Sequence, residues 1–269
     1  MGRILVDNGK LTTEQAEQVV QLQQERGLRF GEAAQLLGLI NESDIQRVLA
    51  EQFDYPYLQP GAGQFPSELV AAYQPFSKQV ETLRAIRSQL MIQWFASGHK
   101  ALALVSANPE ESSLFAANLA VVFSQLGEKT VLVDGNLRNP RQHELFRLGS
   151  RQGLSDILAA RAGLETLCTV DAFLNLSVLP AGTLPPNPQE LLGRPVFKNI
   201  HVGLSNSFDV ILYDVSAYST GVDALTIAAL AGGVLLVARK NRTRVNDLNE
   251  MNAQIGRSGA KVMGSVLVD

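Results

Sequence analysis

The residues of this chain that could do chemistry are two aspartates and a loop. Asp134 closes the apolar run 130–133 and Asp214 closes the run 210–213, while residues 105–117, VSANPEESSLFAA, follow a third apolar run, 101–105. Carboxylates at strand ends, beside a loop that opens a helix, are the parts from which a magnesium and phosphate site is built. Such a loop needs glycines, so that backbone N–H groups can close around the phosphates, and a lysine against the β and γ charge. Residues 105–117 contain no glycine, lysine or arginine, and Glu110 and Glu111 would set like charge against a triphosphate.

The elements that must position these residues are legible. The runs 101–105, 130–133, 210–213 and 233–238 are apolar throughout and alternate with helical stretches such as 114–126, which stops at Gly127. Strands buried on both faces and separated by helices predict a parallel sheet covered on both sides. Its ligand crevice lies at the carboxyl ends of the strands, where Asp134 and Asp214 emerge.

Five segments fall in a recognisable order: LRAIRSQL (83–90), AANLAVVFSQLGEKTVLVDGNLRNPRQHELF (116–146), GLSDIL (153–158), LPAGTLPPNPQELL (179–192) and FDVILYD (208–214). Residues 78–269 thereby resemble the bacterial tyrosine kinases that regulate exopolysaccharide chain length, above all the autokinases of exosortase-linked loci, within the deviant P-loop ATPase group. The resemblance implies a P-loop NTPase-like fold. Carried over by position, the family lysine falls on Ser112 or Ser113, its glycines among Glu110, Glu111 and Ser112, and its Asp-x-Asp pair on Asp134 and Asn136. Asp214 matches the magnesium-associated aspartate, and the Thr-Pro-Pro after it is Val215, Ser216 and Ala217. The family's carboxyl-terminal tyrosine cluster has no counterpart among Tyr55, Tyr57, Tyr73, Tyr213 and Tyr218. The resemblance therefore implies a family member with degenerate positions and no expected catalytic residues, no expected metal, and neither ATP nor magnesium as cofactor. Asp134 and Asp214 are expected to persist as strand-end and helix-capping carboxylates; a weak nucleotide or magnesium site is the other reading. Glu81, Arg84 and Arg87 share one face of a helix beginning at Lys78, and the resemblance implies a subunit contact there, against a solvated charged helix as the bland alternative. The partners expected are a second copy, a related kinase, or a membrane polysaccharide co-polymerase.

The front of the chain is a different object, because it matches itself at a shift of 29 residues: Gly2 with Gly31, Gly9 with Gly38, Leu11 with Ile40, Ala16 with Ile45, Val20 with Leu49, Gln23 with Gln52. Each copy reads as a short apolar segment, a glycine break and a capped helix, with Thr12 and Gln15 forming a capping box, Asn41 capping the second copy and Gly27 ending the first helix. The spacings Ala16, Val20 and Ile45, Leu49 place an apolar face on each helix. The pattern resembles the cyclic di-GMP-binding version of the N-terminal domain of type II secretion and pilus ATPases, whose unit occurs twice with five residues between; residues 24–28 supply that spacer. The second unit runs from Arg29 to Gln52, and the first unit's arginine falls one position before Met1. Lys10 stands for an apolar residue and Ala34 and Gln35 for an apolar pair. The resemblance implies cyclic di-GMP as ligand and Gly2, Leu5, Gly9, Leu11, Gln23, Arg29, Gly31, Gly38, Leu39 and Gln52 as its site. Two phosphates suit arginine and backbone N–H groups, and two guanines suit amide and guanidinium partners. A docking module that packs without ligand is the alternative.

Composition bounds the rest. With 23 Lys and Arg against 26 Asp and Glu, the net charge of −3 gives no general attraction to nucleic acid. The single cysteine, Cys168, excludes an internal disulfide framework. No apolar stretch reaches the roughly 20 residues that span a bilayer, so a cytoplasmic protein is expected, held at the inner membrane only through a partner. Proline and glycine at 59–66, and Pro75 within 73–77, divide the chain into a small, mainly helical two-repeat domain (1–59), a linker (60–77) and an α/β domain (78–269). The function expected is regulation of exopolysaccharide synthesis or export; an active kinase with an unorthodox loop and a ligand-free structural adaptor are the competing readings.

Overall fold

A computed structural model of the chain describes residues 1–52, 58, 65–108, 112–149 and 152–268. It divides into two compact units, Met1–Gln59 and Pro60–Asp269.

In the first unit the 29-residue repeat is two helix pairs: α1 (Gly2–Asp7) with α2 (Thr13–Arg26), and α3 (Phe30–Leu36) with α4 (Glu42–Gln52). Both pairs turn at a glycine with φ of +68°, Gly9 and Gly38, a conformation that costs a residue bearing a Cβ about 1–2 kcal/mol. The longer helices begin in reciprocal caps. Gln15 N donates to Thr12 Oγ1 at 3.2 Å while Thr12 N donates to Gln15 Oε1 at 2.9 Å. Asp44 N donates to Asn41 Oδ1 at 3.0 Å and Asn41 N to Asp44 Oδ2 at 3.1 Å. Lys10 of the first repeat bridges to Asp44 of the second at 2.9 Å, and that contact holds the Asp44 carboxyl below the usual carboxylate range. The core is built from equivalent positions of the two copies: Leu5 and Ala34, Leu11 and Ile40, Val19 and Val48. One expectation needs correction here. Val20 is 41% exposed, whereas Val19 is fully buried; the apolar face of α2 is rotated by one residue, as it is in α4, where Val48 rather than Leu49 is the buried residue.

The second unit opens with α5 (Val70–Tyr73) and α6 (Lys78–Gln93), then alternates β1 (Ala101–Ser106), α7 (Ser113–Gln125), β2 (Thr130–Asp134), α8 (Gln142–Leu145), α9 (Leu154–Leu158), β3 (Cys168–Thr169), β4 (Leu176–Leu179), α10 (Pro188–Leu192), α11 (Pro195–Ser207), β5 (Val210–Asp214), α12 (Asp223–Ala231), β6 (Gly233–Arg239), α13 (Val245–Arg257) and β7 (Lys261–Val268). The strand order is β3-β4-β2-β5-β1-β6-β7, parallel throughout except for the short β3. Strand residues alternate between faces. Ala103, Val105, Val131, Val133, Ile211 and Tyr213 share a core with Ile157, Phe197, Ile200, Ile227 and Ile255, side chains from α9 and α11 to α13. The opposite set, Leu102, Leu104, Leu132 and Leu212, is equally buried, with α7 against β2 and β5.

The linker expected over 60–77 is not one in its described part. Phe65, Leu69, Ala71 and Ala72 are buried, and α7 holds the segment by side chain: Ala71 N donates to Asn118 Oδ1 at 2.9 Å, Asn118 Nδ2 donates to the Glu68 carbonyl at 3.2 Å, and Gln125 Nε2 to that of Ala71 at 3.1 Å.

Candidate functional site: a closed carboxylate pair

Parallel pairing of β2 and β5 places Asp134 and Asp214 opposite one another at the carboxyl ends of the strands, and both are fully buried. Asp134 caps the turn and helix after β2: its Oδ2 accepts the N–H groups of Arg141 (3.1 Å) and Gln142 (3.0 Å) at the start of α8, and its Oδ1 that of Asn136 (3.3 Å). Asp214 is closed off by side chains. Ser112 Oγ donates to its Oδ1 at 3.1 Å and Gln142 Nε2 to its Oδ2 at 2.8 Å, while the same Nε2 reaches the Ser113 carbonyl at 2.9 Å. Gln142 therefore links α8, the start of α7 and the end of β5. Asn136, at the family's second aspartate position, accepts the Asn139 N–H at 3.0 Å and shapes the turn.

Burial, reinforced by the charge of Asp214, pushes the Asp134 carboxyl well above its ordinary range despite its three N–H donors. Burial raises Asp214 too, against the donors Gln142, Ser113 and Ser112, with Arg141 the nearby cation. Two carboxylates desolvated side by side do not both ionise readily. The pair is thus engaged from within the protein. All four carboxylate oxygens already accept protein donors, and the position of the family lysine is a buried serine, whether Ser112 or Ser113. Among the described residues no cluster of three His, Cys, Asp or Glu could hold a metal. Glu110 and Glu111 lie outside the described residues. The loop after β2 is clamped to α12 by Arg138, whose Nε and Nη2 donate to the buried Asp223 at 2.6 and 3.3 Å. The sequence alone does not single out Gln142, Arg138 or Asp223, because each acts through a partner at least 72 residues away.

On α6, Glu81 is exposed and pairs with Arg84, while Arg84 and Arg87 are half-buried. Arg87 Nη1 donates to the Val122 carbonyl of α7 at 2.9 Å, so this triplet is partly engaged within its own unit.

In the first unit, Gly2 and Gly31 are packing positions. A Cβ at Gly2 would stand 3.0 Å from the Phe30 ring, and one at Gly31 3.0 Å from Ile45 Cδ1 and 3.6 Å from Met1 Sδ. Residues 1 and 30 are equivalents, so each repeat lays its first side chain on the other's glycine, a reciprocity that twofold-related halves share. Leu5 and Leu11 are buried, Gln23 and Leu39 half-buried, and Gly9, Arg29, Gly38 and Gln52 exposed. A cleft of about 530 Å³ lies between α1 and α2; of the ten candidate ligand residues it is lined by Gly2 alone.

The parallel sheet, the helices on both its faces and the paired aspartates at the strand ends define an α/β domain of the P-loop NTPase type. No protein-family model matches the chain. The putative tyrosine-protein kinase CapB of Staphylococcus aureus is 32% identical over 202 residues, 75% of this chain and 89% of CapB. The tyrosine-protein kinase wzc of Salmonella typhimurium is 32% identical over 205 residues, 75% of this chain but 28% of wzc. Among solved structures, the chimerical protein CapA2B2 superposes with a TM-score of 0.71 at 31% identity, over 82% of this chain and 97% of the other. The chain belongs to the bacterial tyrosine-protein kinase family.

Proposed function

We propose that the protein is a regulatory member of this family, silent in phosphoryl transfer, which acts in exopolysaccharide synthesis or export and reads cyclic di-GMP through its first unit. The observation that carries the silent reading is the closure of Asp214 by Ser112 and Gln142. A carboxylate whose oxygens already accept internal donors is a poorer magnesium ligand, and residues 105–117 bring no basic side chain to the phosphates. Cyclic di-GMP is supported by the doubled motif with its five-residue spacer and by the exposed Arg29 and Gln52. Assembly with a second copy, a related kinase or a membrane co-polymerase through Glu81, Arg84 and Arg87 completes the reading, with membrane attachment through that partner. Among the described residues no helix is long and apolar enough to cross a membrane.

Calorimetric titrations of one sample with Mg-ATP and with cyclic di-GMP test both halves. No heat and no phosphate release are expected with Mg-ATP; robust release that vanishes in Asp214→Ala refutes silence. Cyclic di-GMP is expected to bind measurably, and each motif contact removed by substitution should cost about tenfold, equivalent to roughly 1.4 kcal/mol. Arg29→Ala should weaken binding without lowering thermal stability. A second reading, a ligand-free docking module, is favoured by a specific observation. Residues 1–59 carry five Lys and Arg against nine Asp and Glu, a net −4 that opposes a dianion. Absence of binding at high ligand concentration selects it.

A further inference from the structure

The two repeats of the first unit differ at one packing position, and the difference opens a groove. In the second repeat Ile45 lies on Gly31, within 3.0–3.4 Å of where a Cβ would stand. The equivalent positions in the first repeat are Ala16 and Gly2, 29 residues earlier. Alanine ends at its Cβ, and the three atoms nearest the Cβ position at Gly2 all belong to Phe30 of the other repeat, at 3.0–3.7 Å. The space that an isoleucine fills in one repeat is thus left to the open cleft of about 530 Å³ in the other, whose apolar lining is Val6, Ala16, Val20 and Phe30, with Thr13, Gln21 and Gln24 beside them. Val20, 41% exposed in that lining, is an apolar side chain without a core to join. Asp7 and Glu17 stand on the rim; Arg3, also there, lies 3.8 Å from Asp7. The net −4 of residues 1–59 continues that acidic character.

We propose that this groove docks an amphipathic helix of a partner protein. Its isoleucine or leucine would take over Ala16 the place that Ile45 takes over Gly31, and its flanking Lys or Arg would face Glu17 and Asp7. Helices recognised this way insert apolar residues spaced i, i+3, i+4, i+7, and the charge on the rim sets steering and specificity. The proposal does not rest on cyclic di-GMP, whose exposed candidate contacts Arg29 and Gln52 lie outside the groove.

The test uses the full chain and two labelled peptides of about five helical turns, one with lysine and one with glutamate around the same isoleucine and leucine stripe, read by fluorescence anisotropy. The lysine peptide is expected to bind and the glutamate peptide not to. Ala16→Ile should fill the groove and weaken binding at least about tenfold, with thermal stability kept. Val20→Ser, at an exposed position, should also weaken it, and Glu17→Lys should weaken it and flatten its salt dependence. The proposal is overturned if the lysine peptide does not bind at about 100 μM, if both peptides bind alike, or if Ala16→Ile and Val20→Ser leave affinity unchanged. Displacement of the peptide by cyclic di-GMP would give the groove to the nucleotide, and a dimer abolished by Ala16→Ile would give it to a second copy; either outcome also overturns it.

Discussion

Replacing Asp134 by asparagine should stabilise the second unit at alkaline pH, the reverse of what the loss of a working metal carboxylate would do. Asparagine keeps one oxygen, enough to accept the Arg141 and Gln142 N–H groups now at 3.1 and 3.0 Å on Asp134 Oδ2. The 3.3 Å bond from Asn136 is lost, and the buried N–H then faces the new amide group, a cost of about 1–3 kcal/mol. Against this stands removal of a fully buried charge beside another, where the desolvation penalty is on the order of several kcal/mol per ion. The balance favours the variant by about 1–2 kcal/mol at pH 8, and a unit of this size gains roughly 2–4 °C in Tm per kcal/mol.

The pH dependence fixes the sign. The folded Asp134 carboxyl holds its proton to higher pH than the unfolded one, which releases it near about pH 3.9. Between those values the folded state binds more protons than the unfolded, so this group's contribution falls as pH rises through the folded pKa. Asparagine does not titrate, and the difference in unfolding free energy between variant and parent should therefore be smallest below about pH 3.9 and grow as pH rises toward the raised folded pKa. Urea melts followed by the single tryptophan, Trp94, report on the unit that contains the pair. A variant less stable than the parent by more than about 1 kcal/mol at pH 8, or a difference flat across pH, refutes the closed-pair reasoning. So does a magnesium-dependent rise in Tm of the parent that the variant lacks.

Two more outcomes concern glycines. Trp94 lies on Gly233 so closely that a Cβ would sit 2.4 Å from Cζ2, so Gly233→Ala should displace the indole, break its 2.8 Å bond to the Ala101 carbonyl and cost about 2–4 kcal/mol, with a shifted emission maximum; unchanged emission and stability refute the contact. Gly9→Ala and Gly38→Ala, both at φ of +68° with open space around the Cβ, should each cost about 1–2 kcal/mol through backbone strain alone, and markedly unequal losses in thermal melts would contradict the equivalence of the two repeats.

What is legible in the sequence depends on how far away the explanation lies. The strands at 101–105, 130–133, 210–213 and 233–238 are readable because burial on both faces leaves uninterrupted apolar runs, and Gly9 and Gly38 because a left-handed turn imposes its residue type locally. The packed segment 65–73 is not: Phe65, Leu69, Ala71 and Ala72 show no clean period across Pro66, and their partner Asn118 lies 47 residues from Ala71. Val20 reads as the core residue in place of Val19 because the two adjacent valines make the rotation of α2 ambiguous by one residue. Residues 105–117 show a stretch without a basic side chain, yet their own composition does not reveal what the two aspartates engage. Two carboxylates buried side by side need donors on their oxygens. In the folded chain those are a hydroxyl from Ser112, an amide from Gln142 and backbone N–H groups at the start of α8, drawn together from segments up to 102 residues apart. The composition of the loop is visible locally, whereas the donors that close the carboxylate pair are visible only in the fold.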